Sequence, residues 1–65
     1  MAKIWRNRIW AGTQRFEFCP SRYKTQVIDL MREDLEDGLH TVGDLEKLVE
    51  DGMMSEEEMQ EIIRE

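Results

Sequence analysis

The sequence predicts an all-α fold, a small bundle of about four helices. Three observations predict it. Apolar residues recur at helical spacing across residues 23–35, a fourteen-residue repeat after residue 38 is built from helix-capping chemistry, and glycines stand where helices would stop. With 65 residues, 40% of them apolar, the chain makes one small domain and excludes a multi-domain enzyme. So small an apolar set gives a marginal core, and self-association or a protein partner is expected.

The first segment, residues 1–19, is basic and aromatic. Across residues 3–11 the apolar positions are Ile4, Trp5, Ile9 and Trp10, with Trp5 and Ile9 one helical turn apart, so a short helix is expected there, closed by Gly12. A hairpin is the rival, because Trp5, Asn7 and Ile9 alternate and residues 13–18 have strand-like composition, but Ala-Gly is a poor two-residue hairpin loop. Residues 13–19 lack a helical period and read as an extended connector pinned by Phe16 and Phe18. Pro20 suits the first turn of a helix, where a missing N–H costs nothing. The main helix is predicted over 20–37, with Tyr23, Val27, Leu30, Met31 and Leu35 on its inner face, Lys24, Asp29, Arg32, Glu33 and Glu36 on the other, and Gly38 as its stop.

Residues 38–65 form an acidic two-helix repeat. Gly38-Leu39-His40-Thr41-Val42-Gly43-Asp44-Leu45-Glu46-Lys47-Leu48-Val49 aligns with Gly52-Met53-Met54-Ser55-Glu56-Glu57-Glu58-Met59-Gln60-Glu61-Ile62-Ile63. In each copy a glycine ends the preceding helix, and Thr41 or Ser55 caps the next by accepting a backbone N–H. Asp44 or Glu58, three residues on, can return a bond to the cap. Thr41 with Asp44 is the weaker box, because Asp is shorter and Gly43 loosens the first turn. His40 with Leu45, and Met54 with Met59, are placed for a hydrophobic staple. Helices are expected near 42–51 and 56–64. Too short to stand alone, they must lean on the 20–37 helix, with the Trp5 and Ile9 face completing the cover.

Charge is segregated. Residues 1–24 hold six basic side chains against one acid, a net of +5; residues 25–65 hold three against fourteen, a net of −11. All five aromatics lie in the basic third. Such a dipolar chain favours attraction between its two ends or between neighbouring copies at low salt. The basic aromatic segment offers Trp5, Arg6, Trp10, Phe16 and Phe18 as candidate partner-binding residues. The net charge of −6 weighs against nucleic acid as that partner.

No reaction is legible. One histidine and one cysteine make no zinc set, and a Cys19–His40 nucleophilic pair has no orienting third residue, so Cys19 is expected to be a small buried residue. Asp34, Glu36 and Asp37 share a turn without meeting a calcium-loop pattern, and the dispersed glycines make no phosphate cradle. Glu56, Glu57 and Glu58 suit the positive end of a helix dipole. No enzyme, cofactor, metal or small-molecule substrate is therefore expected. Nor is a membrane span, a signal peptide or an internal disulfide, and a lone cysteine points to a reducing cytosol.

The run Gly38-Leu39-His40-Thr41, Asp44-Leu45, Leu48-Val49, Gly52, Ser55-Glu56-Glu57-Glu58 and Glu61-Ile62 resembles short prophage tail-region proteins of the XkdX type over about 28 residues. His40 stands where those proteins carry Tyr, Ser55 replaces a second Thr, Met59 replaces a second Tyr, and Arg64-Glu65 replaces a Thr-Gly ending. The first half, with Ile4, Ile9, Ala11-Gly12, Pro20, Arg22-Tyr23, Val27 and Leu30, is similar to other small phage-associated open reading frames. The resemblance implies a non-enzymatic prophage or mobile-element protein of the bacterial cytoplasm or virion, acting through protein contacts in tail assembly or structure. A small acidic regulator that occupies a nucleic-acid-binding host protein is the alternative.

Overall fold

A computed structural model describes residues 1–63. They form four α-helices, α1 (Ala2–Ala11), α2 (Ser21–Glu36), α3 (Val42–Glu50) and α4 (Glu56–Ile63), with a 3-10 turn at Phe16–Phe18 and no strand among the described residues. The predicted end of the last helix at residue 64 lies outside them. α1 packs on α2, α2 on α4, and α3 on α4, within an envelope of 24 × 22 × 19 Å. No helix among the described residues is long and apolar enough to cross a membrane.

The end of α1 decides between helix and hairpin. Gly12 takes a left-handed φ of 75°, its N–H bonds to the Ile9 carbonyl, and the Thr13 N–H reaches back to Arg8. Those bonds satisfy carbonyls that the last helical turn leaves open. Gly38 and Gly52, each with φ 77°, close α2 and α3 in the same way. The Leu39 N–H bonds to the Asp34 carbonyl, and the Met53 N–H to that of Leu48. Both capping boxes form. Thr41 Oγ1 accepts from the Asp44 N–H at 3.4 Å and Asp44 Oδ2 from the Thr41 N–H at 3.1 Å; the corresponding Ser55 and Glu58 distances are 3.1 and 2.9 Å.

The core joins all four helices. Ile9, Val27, Met31, Leu45 and Ile62 are fully buried, with Leu48 and Met54 nearly so, and the Trp5, Tyr23, Leu30, Leu35, Val49 and Met59 side chains pack half-buried around them. The basic segment thus folds back over α2. A further tie comes from Arg32, whose guanidinium donates to the Glu61 carbonyl at 2.6 Å and the Ile62 carbonyl at 3.0 Å. It supplies donors and positive charge to the end of α4, where carbonyls and the helix dipole call for both.

Two expectations need correction. Residues 13–19 are not an extended connector with both aromatics turned the same way. The 3-10 turn rotates Phe16 into the core at 1% exposure and leaves Phe18 61% exposed. The Phe16 N–H also bonds to the Met53 carbonyl at 2.8 Å, fastening the turn to the α3–α4 corner. A 3-10 turn satisfies local backbone groups, which an isolated extended segment could not do. Pro20 caps α2 rather than occupying its first turn, so the helix starts one residue later than predicted.

Candidate functional site

The most organised surface of the molecule lies where α1 meets the α2–α3 corner. Its hub is Asp34, in the last turn of α2 and only 6% exposed. One carboxylate oxygen accepts the Trp10 indole N–H at 2.8 Å, and the other lies 3.6 Å from the Arg6 guanidinium. The Asp34 backbone carbonyl receives the N–H groups of Leu39 and His40. A buried carboxylate is tolerable only with such partners, and here it joins α1 to the corner through both side chain and backbone.

His40 lies flat on Trp10, with ring centroids 3.9 Å apart and planes within 4° of parallel. Its Nδ1 is 3.2 Å from Asp44 Oδ2, the oxygen that also accepts the Thr41 N–H. Hydrogen bonding by the Thr41 backbone, and secondly by His40, holds the Asp44 carboxyl below its ordinary value. Both rings of the stack are therefore held at their edges, the indole by Asp34 at its N–H and the imidazole by Asp44 at Nδ1.

Leu39 stands next to this stack and is 69% exposed. Shallow depressions flank it. One is bounded by Arg6, Asn7 and Asp34, the other by Gly12, Asp44, Lys47, Leu48 and Asp51, and both share Trp10, Ala11, Leu39 and His40. Tryptophan and arginine are the residue types enriched in protein-binding hot spots, and Trp10 and Arg6 stand half-buried on this surface beside the exposed Leu39.

The five predicted partner-binding residues do not form one surface. Trp10 and Arg6 belong to the site. Trp5 is half-buried against the core, Phe18 is exposed on the 3-10 turn, and Phe16 is buried and unavailable, which corrects its assignment. The predicted caps Thr41, Asp44, Ser55 and Glu58 stand where expected, and Asp44 and Thr41 additionally support the site. In the sequence Asp34 shares a turn with Glu36 and Asp37 without meeting a calcium-loop pattern; the signal that marks it is its position on the Val27–Met31 face, i and i+4 followed by i+7, where an acid interrupts an apolar stripe.

Cys19 is buried beside Pro20, and desolvation pushes its thiol above the ordinary value, with Lys24 partly offsetting this. An activated nucleophile needs the opposite shift. No cluster of three His, Cys, Asp or Glu side chains among the described residues could hold a metal ion. Comparison with protein-family models, curated proteins and solved structures finds no match for this chain.

Proposed function

We propose that this chain is a non-enzymatic protein of a prophage or related mobile element, working through protein–protein contacts in tail assembly or structure. The observation that carries this reading is the Trp10–His40 stack with Leu39 beside it. Two carboxylates and an arginine hold the stacked Trp10 and His40 rings in one geometry, and the exposed Leu39 adjoins them. Preorganised apolar groups lose little further freedom when a partner covers them, so they suit binding better than their area suggests. The resemblance of residues 38–65 to short prophage tail-region proteins supplies the biological setting, the bacterial cytoplasm or the virion.

The test is affinity capture from an induced lysogen with Leu39→Lys as the control. Leu39 packs little, so this variant should melt within about 0.5 kcal/mol of wild type. Identification by mass spectrometry of a tail component held by wild type and lost by Leu39→Lys is the expected result. Capture of no tail component, or equal capture by both chains, would sink the reading.

A further inference from the structure

The segregated charges of this chain are not neutralised within the folded molecule. Among the described residues the ion pairs are Arg6–Asp34, Arg15–Glu17, Arg32–Asp29 and His40–Asp44. Only Arg6–Asp34 joins the basic first third to the acidic remainder.

What is left over is sorted by helix. The outward face of α1 carries Lys3, Ile4, Asn7, Arg8 and Ala11, all exposed, and α1 contains no acid. At its edge lie the exposed Leu39 and the depression beside Trp10. The outward face of α4 carries Glu56, Glu57, Gln60 and Glu61, all exposed and with no cation among them. Both helices pack on α2, and no ion pair joins α1 to α4 among the described residues. The two faces are complementary in sign, and a single molecule does not satisfy them.

We propose that the outward face of α1, with Ile4 and Leu39, is the docking surface for the outward face of α4 of a second copy of this chain. The inference rests on the protein-contact function above and names the partner for part of the same surface. Ile4, 46% exposed, supplies apolar area on which the methylene stems of Glu57, Gln60 and Glu61 can lie, and Leu39 extends it at the edge. Lys3 and Arg8 meet Glu57 and Glu61 and set the register. Small Asn7 and Ala11 between them let the second helix approach closely. Because the contact uses two different patches, each added copy leaves one free basic face and one free acidic face, so the assembly grows head to tail. Charge pairs at such a rim govern rate, register and salt sensitivity more than they add affinity.

Sedimentation of four samples tests this. Wild type is expected to sediment as species larger than a monomer at about 50 mM salt, with association at least about tenfold weaker at about 500 mM, where surface charges are screened. Lys3→Gln/Arg8→Gln neutralises the basic face, and Glu57→Gln/Glu61→Gln removes the two carboxylates that meet it. All four sites are exposed and glutamine is a good helix former, so both variants should stay folded. Circular dichroism verifies that both are helical. Each variant alone should be monomeric, and an equimolar mixture should give a one-to-one pair, since each retains the face the other lacks. A monomeric wild type at millimolar concentration overturns the proposal. So does undiminished self-association of either folded variant, or failure of the mixture to pair. If wild type is monomeric yet Leu39 still governs capture of a tail component, the second-copy inference falls and the protein-contact function stands.

Discussion

The two copies of the repeat share one backbone and meet different surroundings. At both corners a glycine takes φ 77°, the next N–H reaches back across the helix end, and a capping box opens the following helix. At the first corner the residues after the glycine are an exposed Leu39 and a His40 lying on Trp10; at the second they are a half-buried Met53 and a buried Met54. The second is also closed by the 3-10 turn, through the Phe16 N–H to the Met53 carbonyl. Local sequence thus dictates the turn, while neighbouring elements decide whether its side chains serve the core or face outward. The open corner is the one that carries the proposed binding surface.

Truncating the apolar residue of each corner gives the largest contrast. Met54→Ala should destabilise by about 3 kcal/mol, through lost burial and a residual cavity, whereas Leu39→Ala should change stability by less than about 0.5 kcal/mol. Equal losses in denaturant titrations would mean the corners are not differently buried. The caps come next. Ser55→Ala should cost about 1 to 1.5 kcal/mol and Thr41→Ala about 0.5 to 1, in keeping with the shorter hydrogen bonds of the second box. Thermal melts showing the reverse order would remove the ranking.

Gly43, inside the first turn of α3, has no counterpart in the second copy, which carries Glu57 there. A Cβ at Gly43 would meet only Thr41 Oγ1, at 3.4 Å, so Gly43→Ala should stabilise by about 0.5 to 1 kcal/mol and bring the first copy nearer the second. A loss of stability would show that the Thr41 contact cannot adjust. The smallest effect concerns pH. The Asp44 carboxyl is held below its ordinary value in the folded state, so its contribution is present above the ordinary carboxylate range and is lost as pH falls through the lower folded value. Asp44→Asn should therefore flatten the acid limb of the melting temperature against pH, and an unchanged limb would contradict the role given to the Thr41 and His40 bonds.

Much of the fold is legible in the sequence because helix ends are local events. Gly12, Gly38 and Gly52 sit within a few residues of every bond they make possible, and Thr41, Asp44, Ser55 and Glu58 form their boxes at a spacing of three. The α2 stripe of Val27 and Met31 is equally plain. Long-range pairing is what the sequence hides. Asp34 and Trp10 are 24 positions apart, and nothing at either residue names the other. Phe16 and Phe18 look equivalent until the core takes one of them. Residues such as Trp5 and Phe16 can be recognised as sticky, but whether they stick inward depends on which element covers them.

Arg32 gives α4 a boundary that α4 does not encode. The final turn of an eight-residue helix would ordinarily fray fastest and exchange its amide protons within the solvent-limited regime. Here the carbonyls of that turn are held by a side chain rooted in the middle of α2, so opening the end of α4 requires a long cationic arm to let go of two oxygens at once. Local breathing of the acidic end is thereby tied to the integrity of the longest helix. Hydrogen exchange at the end of α4 should report on α2 as much as on α4 itself.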